Sequence, residues 1–562
     1  MQKSGAQIVM ESLIKEKTTY IFGYPGGSVI ALYDCFKDYP VLHHILVRHE
    51  QGAAFAAEGY ARASGKVGVC LATSGPGATN LVTGIANAYL DSVPVVYITG
   101  QVASNVMGSD AFQETDITGI TFSITKHNYV VEKIEDLARI IKEAFHIARS
   151  GRPGPVLIDI PKDIFSQKTE YKYPKTVALP LNKSKLKKSD ISKAVKLINS
   201  AKKPVIIAGH GIMIGGAENE LRAFAEKTNM PVVLTVLGLG ALDEAHELCM
   251  GMLGMHGHAA ANYAVHNADL IIGIGERFDD RITGQIDELT KNTKIIHIEI
   301  DEAEINKNVR VDVPLIGDCK LVIPELIKGC SKKKNVNWLR EIDSYSKNAK
   351  KTLLKIYPIK RAGKERPFTY DVVREIRKVS GPDAIIVTDV GQHQMFTCQS
   401  YEFAKPNKLI TSGGLGSMGF GLPAALGAKV ACPEDEVWLI NGDGGIQMNI
   451  QELMTLVQEN INIKIAIIQN SYLGMVRQWQ EFFYNKNYAS TPLLSPNYKY
   501  IAKGFGVKYL SAKRVDEIAP AVRKMNEHEG SCICEFYVKK EEKVLPMVPS
   551  GKTLGDMIIS ID

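Results

Sequence analysis

At 562 residues, with 45% hydrophobic and 23% charged residues, the chain has ordinary globular composition and room for about three or four domains, which excludes a disordered protein. A net charge of only +6, with the Lys-rich tracts at 183–188 and 331–335 lying in polar connecting sequence, excludes a nucleic-acid footprint. Nine cysteines without a CxxC pair point to reduced, buried thiols in a cytoplasmic protein, and no run reaches the roughly 20 apolar residues of a membrane span.

In chain order, MQKSGAQIVMESLIKEK predicts an amphipathic helix capped by Ser4, too polar for a signal peptide and without the Arg/Ser bias of an organelle transit sequence. VRHEQGAAFAAEGYAR, residues 47–62, predicts a second helix made almost wholly of small residues and opened by Glu50. A carboxylate at a buried helix start either caps free N–H groups or holds something that needs a negative charge. Further on, short β-branched runs such as GVCLAT, VPVVYIT, PVLIDI, KPVIIAG, DLIIGIG, TKIIHIEI, AIIVTD, EVWLING and IKIAIIQN alternate with helical stretches. That alternation is the pattern of parallel sheets covered on both faces. Polar segments at about 165–190 and 331–366 divide it, so the expected fold class is α/β: three doubly wound, mainly parallel-sheet domains over 1–165, 190–330 and 366–540, followed by a tail, 541–562.

The first and third blocks resemble each other. Residues 67–99 run strand, TSGPGATN, helix, strand, and residues 436–470 run strand, NGDGGIQMN, helix, strand, with Pro76 in the slot that Asp443 fills in the later copy. In such a unit both strands end at one sheet edge, which brings Asp443 and Asn470 together. One anionic and one neutral oxygen ligand suit Mg²⁺, and Gly442, Gly444 and Gly445 let backbone approach a diphosphate. Two other readings stand beside this one. Gly-Asp-Gly can be a plain tight turn, and GLGSMG at 414–419 fits the dinucleotide fingerprint of an NAD(P) dehydrogenase, with Asp443 as its acidic residue. Against the dehydrogenase, Asp443 sits between glycines and begins a second phosphate-type turn, which a ribose-binding carboxylate does not need.

Gly-Asp-Gly with an Asn 27 residues after its Asp resembles the thiamine diphosphate motif, although the usual Asn-Asn reads Gln469-Asn470 here. Over essentially the whole chain, FGYPGGSVIALYD, VRHEQGAAFAAEGYAR, SGPGATN, DAFQETD, GRPGPV, LGMHG, RFDDRITG, GGLGSMGFGLPAA, NGDGG, GMVRQWQ and VLPMVPSGKTL stand in the order seen in acetohydroxyacid synthase catalytic subunits, and the chain resembles that family.

The resemblance implies thiamine diphosphate, Mg²⁺ and FAD as cofactors. It makes the three blocks a pyrimidine-binding, an FAD-binding and a diphosphate/Mg-binding domain, with the tail over the active site. Glu50 matches the glutamate that hydrogen-bonds N1′ of the aminopyrimidine, while Glu58 has no such match and reads as structural. The small residues around Glu50 then keep the site dry and let the ring approach. Gly27 matches the glycine near the reactive carbon, and Gln113 a polar side chain beside the substrate. Met418 resembles the residue that props the bent cofactor. Gly391, Gln392, His393 and Gly416 join Gly442, Gly444 and Gly445 as its other contacts. Tyr472 adds its backbone carbonyl to Asp443 and Asn470 around the metal. For FAD the implied contacts are Arg152, Gly209 and Gly211, then Leu253, Gly254, Met255 and His256, then Gly275, Arg277 and Asp280, and finally Glu299, Asp301 and Asp318. Since Glu50 and Asp443 lie in different blocks, the resemblance implies a homodimer or tetramer with cofactor at a subunit interface, and a possible small regulatory subunit.

Trp479 and Arg281 resemble the acceptor-site residues of biosynthetic members, an aromatic wall for the extra methyl of 2-oxobutyrate and a guanidinium for the acceptor carboxylate. Met475 and Lys162 are the other expected substrate contacts. The implied function is acetolactate synthesis: pyruvate is decarboxylated and its two-carbon unit passes to a second pyruvate or to 2-oxobutyrate, on the route to isoleucine, valine and leucine. The alternatives are a catabolic acetolactate synthase, another thiamine diphosphate-dependent 2-oxo acid decarboxylase, the dehydrogenase, or a noncatalytic binding protein. Ser28, Ala103 and Glu276 depart from the family's common Ala, Pro and Ala.

Overall fold

The alternating runs close into three six-stranded sheets, each parallel throughout. The structure, a computed structural model, describes residues 2–177, 186–359 and 361–560; residues 183–185 of the first Lys-rich tract lie outside them. The first sheet runs, edge to edge, His43–Leu46, Tyr20–Gly23, Gly68–Ala72, Val95–Gln101, Val156–Pro161, His127–Val130. The last runs Leu409–Ile410, Ile385–Thr388, Val437–Gly442, Lys464–Gln469, Cys532–Tyr537, Lys508–Ala512. Counted within its own domain, each has the order second, first, third, fourth, sixth, fifth, so the likeness of the two blocks extends from motif spacing to topology. The middle sheet differs: Cys249–Met252, Val232–Leu234, Pro204–Ala208, Leu270–Ile274, Lys294–Glu299, Val313–Ile316. Its order, third, second, first, fourth, fifth, sixth, is that of dinucleotide-binding folds.

Ser4 caps the helix Gly5–Lys15, its side chain accepting from Gln7 N while Gln7 bonds back to Ser4 N. The preceding residues, Gln2–Ser4, pair antiparallel with Lys168–Glu170. The segment 331–366 is more than a connector. It contains the helix Val336–Ile356, which buries Trp338, Ile342 and Ala349 against the middle domain and donates from Trp338 Nε1 to the Pro204 carbonyl (3.1 Å). Those apolar residues recur at helical spacing, but a surrounding run of charged and amide residues masks them in composition. Among the described residues no helix is long and apolar enough to cross a membrane, and all nine cysteines are free.

The small-residue helix Glu50–Ser64 packs on Gly421–Ala431 of the C-terminal domain at backbone contact. A Cβ on Gly59 would sit 2.1 Å from the Ala424 carbonyl oxygen, and one on Gly427 1.9 Å from that of Ala56. The small residues therefore serve interhelical approach between two domains of one chain. On the same helix Glu58 is fully buried and accepts from Asn87 Nδ2 (2.8 Å) and from Arg62 Nε (3.0 Å); Arg62 also pairs with buried Asp91. Asp91 in turn accepts from the Gly413 (3.0 Å) and Gly414 (2.6 Å) N–H groups, and Asn87 Oδ1 from the Ser412 and Ser417 hydroxyls. Glu58 is structural, and its network staples the glycine-rich loop to the first domain. Removing the guanidinium strands two buried carboxylates, so Arg62→Met should destabilise the protein by about 3–5 kcal/mol, with Arg62→Lys recovering part of the loss. Urea denaturation followed by tryptophan fluorescence checks this; a change under about 1 kcal/mol would deny the cluster its role.

Candidate active site

In a doubly wound sheet, neighbouring strands whose connections leave in opposite directions open a crevice at their carboxyl ends. In the C-terminal domain that point lies between Ile385–Thr388 and Val437–Gly442, and an aspartate follows each strand directly. Asp389 is fully buried and organises the glycine-rich loop, its carboxylate accepting from the Val390 (2.8 Å), Gly419 (2.9 Å) and Gly421 (2.9 Å) N–H groups. Burial pushes its carboxyl up to about 6. The sequence reading missed Asp389; the signal available was an acidic residue closing the run AIIVTD at a strand's carboxyl end.

Asp443 is 2% exposed, and burial likewise raises its carboxyl to about 6. Its Oδ2 accepts from Ser471 N (2.9 Å) and Ser495 Oγ (3.1 Å), while its backbone carbonyl is held by Tyr498 (2.9 Å) and Gln447 (2.8 Å). Gly442 is in register with Ile468, so Asn470 stands just past the end of the adjacent strand, as the 27-residue spacing predicts. Asp443, Asn470 and Tyr472 line one cavity. A buried carboxylate with no cation paired to it among the described residues, an amide oxygen and a backbone carbonyl are the hard donors that suit Mg²⁺. Around them the wall is bare: Gly391, Gly416, Gly442, Gly444 and Gly445 line the cavity with Gln392, His393 and Met418. His393 Nε2 is buried without a partner among the described residues, and a Cβ on Gly444 would lie 3.7 Å from Met418 Cε. An unpaired ring nitrogen beside bare backbone fits a cofactor that brings its own polar atoms.

The cavity, about 810 Å³, continues into the crevice of the middle sheet. There Gly209 and Gly275 follow the two central strands and approach so closely that a Cβ on Gly209 would meet the Gly275 oxygen at 2.2 Å. Gly211, Leu253, Met255, His256, Gly275, Arg277, Glu299 and Asp318 line this half, joined by Arg152 from the first domain. Arg152 donates to Ser92 (2.8 Å) and Glu304 (2.7 Å), and Glu299, raised to about 7 by burial, accepts from Ile300 and Asp301 N–H groups. His256 Nδ1 is buried and unpartnered among the described residues. A bare switch point in a sheet of dinucleotide-binding order, edged by acids and by Arg152 and Arg277, fits FAD. Gly209, Gly254, Asp280 and Asp301 do not line the cavity: Gly254 is held between its N–H and carbonyl by Asn262, Asp280 is exposed, and Asp301 caps a short turn at Ala303. His210 and Glu276 line it as well, and so does Asp91, which was not singled out from sequence.

Trp479 and Met475, on the helix Gly474–Phe483, line the same cavity as Arg281, whose Nη1 lies 3.6 Å from Met255 Sδ. Glu50, Gly27, Gln113 and Lys162 do not line it. His49, not Glu50, caps the small-residue helix, its Nδ1 accepting from Gln51 N (3.1 Å), and the half-buried Glu50 carboxylate instead accepts from Asn80 Nδ2 (2.9 Å). Gly27 sits at the switch point of the first sheet in open space, with Ser28 beside it bonded through Oγ to Thr73 (2.8 Å) and Ser74 N (2.9 Å). Gln113 is exposed with φ +62°, a strained value for a side chain of that kind, such as functional sites store. Within one chain Glu50, Gly27 and Gln113 thus stand at the switch point of the first sheet, apart from the cavity at the switch point of the last.

Comparison with known proteins places all three domains in one lineage. Residues 3–120, 191–326 and 389–536 match the family models described as thiamine pyrophosphate enzyme N-terminal TPP binding domain, central domain and C-terminal TPP binding domain. The chain is 45% identical to the acetolactate synthase large subunit of Corynebacterium glutamicum over 99% of its own length and 90% of the relative's. It is 44% identical to the large subunit of Lactococcus lactis, covering 99% and 96%, and 44% identical to the chloroplastic acetolactate synthase 2 of Nicotiana tabacum, covering 100% and 86%.

Proposed function

The chain belongs to the acetolactate synthase large subunits, a branch of the thiamine pyrophosphate enzymes, and from that premise we propose that it joins pyruvate to a second 2-oxo acid, preferring 2-oxobutyrate, at a site built from two copies of itself. The observation that carries this reading is that Trp479, Met475 and Arg281 line the same cavity as Asp443, Asn470 and Met418. An apolar wall and a guanidinium are thereby set beside the cofactor pocket.

When bound, thiamine diphosphate supplies the carbon nucleophile and electron sink that decarboxylation of pyruvate requires. The chain's own groups do the rest. Asp443, Asn470 and the Tyr472 carbonyl hold Mg²⁺, and the bare glycine turn admits the diphosphate. Met418 shapes the pocket above Gly444. Glu50 holds a proton at N1′ of the pyrimidine, and Gln113 faces the donor substrate beside it. Arg281 takes the acceptor carboxylate, Trp479 packs on its alkyl end, and the products are carbon dioxide and 2-acetolactate or 2-aceto-2-hydroxybutyrate. FAD in the middle crevice has no net electron transfer to perform in this balance.

Two copies are needed because Glu50, Gly27 and Gln113 stand apart from the cavity within one chain. Both halves also expose apolar side chains: Phe112 and Phe122 (89% and 80% exposed) on the first, Leu494 (96%) on the second. Large apolar side chains left this bare are ones that a partner copy would cover. The relatives' name, large subunit, supports a smaller companion subunit, and the biosynthetic reaction and reduced thiols support a cytoplasmic location.

Purified protein should be yellow and form acetolactate from pyruvate once thiamine diphosphate and Mg²⁺ are added; colourless, inactive protein would overturn the reading. In competition, the wild type should favour 2-oxobutyrate over pyruvate by roughly 1–3 kcal/mol, the range for one methylene in an apolar pocket, and Trp479→Leu should flatten that preference while sparing decarboxylation. A Trp479→Leu enzyme that keeps the preference would remove Trp479 from the acceptor site and favour the catabolic reading.

A further inference from the structure

Beside Trp479 stands Gln478, 1% exposed, with its amide engaged on both sides. Its Oε1 accepts from Val544 N (2.8 Å) and from Gln392 Nε2 (2.9 Å); its Nε2 donates to the Val544 carbonyl (3.2 Å) and lies 3.4 Å from Met547 Sδ. A single side chain therefore clamps both backbone groups of one residue in the C-terminal tail, as a neighbouring strand would, and ties them to Gln392 at the start of the helix that follows the first strand of the C-terminal sheet. Gln392, which lines the cofactor cavity, closes the triangle by donating also to the Glu542 carbonyl (3.1 Å).

The rest of the tail is fastened at both ends of this clamp. Upstream, the Glu542 carboxylate accepts from Thr369 N (2.8 Å) and Lys543 pairs with Glu481 (2.8 Å) on the Trp479 helix. Downstream, Val548 N donates to the Met255 carbonyl (2.7 Å), and Met255 touches Arg281. The tail is thus a strap between the two walls of the acceptor pocket, the helix with Trp479 and the middle-domain loop beside Arg281. Those walls grip opposite ends of one small molecule, so their separation is the quantity that must be held constant.

We propose that Gln478 is a positioning residue for the acceptor half of the reaction, fixing the distance between Trp479 and Arg281 by clamping the tail at Val544. The kinetic part of this inference rests on the acetolactate synthase reading given above; the clamp itself does not. Loosening the strap leaves decarboxylation of the first pyruvate intact but mispositions the acceptor. The two-carbon unit then leaves by taking a proton, as acetaldehyde, in place of forming a carbon–carbon bond with the second 2-oxo acid.

The test uses the full-length holoenzyme and Gln478→Leu, which keeps bulk and loses every hydrogen bond. Hydrogen exchange should show protection of the Val544 segment reduced at least about tenfold, with flavin content unchanged. Acceptor KM should rise at least about tenfold, and the ratio of acetaldehyde to acetohydroxy acid at least about fivefold, the scale expected of a small misplacement of a reacting partner. Undiminished protection at Val544 would overturn the clamp. Lost protection with unchanged KM and product ratio would reduce Gln478 to a stability role and overturn the positioning. A wild type that forms no acetohydroxy acid would sink the reaction reading alone, because the exchange data stand apart from it. If Gln478→Leu fails to fold, Gln478→Glu, which keeps the accepting oxygen and loses the donation to Val544, should show a smaller shift in the same product ratio; an unshifted ratio there would overturn the proposal.

Discussion

Asp443→Ala protein is expected to keep its flavin and to lose Mg²⁺-dependent retention of thiamine diphosphate, with affinity falling at least about a hundredfold, or roughly 2.7 kcal/mol. The ligands that remain, Asn470 and the Tyr472 carbonyl, are neutral, and a diphosphate brought to the glycine turn without a cation would face only backbone N–H groups. The turn itself should survive. Its backbone is held through the Asp443 carbonyl by Tyr498 and Gln447, bonds that the substitution does not touch. The flavin crevice lies at the end of a different sheet. Titration of apoprotein with thiamine diphosphate, with and without Mg²⁺, together with the flavin absorbance, measures both effects. Unchanged cofactor affinity would remove Asp443 from the metal site, and simultaneous loss of flavin would point to collapse of the domain.

Glu50→Gln should lower turnover at least about a hundredfold while leaving the fold and both cofactors in place, because an amide can still accept from Asn80 but cannot hold a proton at the pyrimidine nitrogen. Helix stability should hardly change, since the cap is His49. The separation of Glu50 from Asp443 gives this variant a second use. Mixed with Asp443→Ala protein under conditions that exchange subunits, two nearly inactive proteins should recover about a quarter of wild-type activity: half the dimers are mixed, and one of the two sites in each carries no substitution. A site completed within one chain would recover nothing. Full activity of Glu50→Gln on its own would return the residue to a structural role.

Much of this site was legible from local chemistry. A run of β-branched residues bounded by turns becomes a buried parallel strand, and a fixed number of residues between Asp443 and Asn470 returns the chain to the same sheet edge, so their meeting follows from geometry that short stretches carry within themselves. The same holds for the Ser4 cap and for the glycines at 442, 444 and 445, whose freedom from side chains is a property of the residue. The helix Val336–Ile356 was present in the spacing of Trp338, Ile342 and Ala349, yet hidden by the charged residues between them.

What only the tertiary structure decided is whatever depends on partners distant in the chain. Glu50 and Asp443 appear in sequence as two ends of one site, but the cavity with Asp443 excludes Glu50, and the helix that begins at Glu50 packs its small residues on Gly421–Ala431 of its own chain. Glu58 and Asp389 are single acids whose roles came from burial and from the N–H groups and charges brought to them by other segments. The order of the strands in the middle sheet, and with it the dinucleotide crevice, belongs to the same class. Hydrophobic period and turn chemistry act over a few residues and can be read from them. Which surfaces meet is set by packing of whole elements, where the free energy of burial is shared among residues hundreds of positions apart and no single stretch records it.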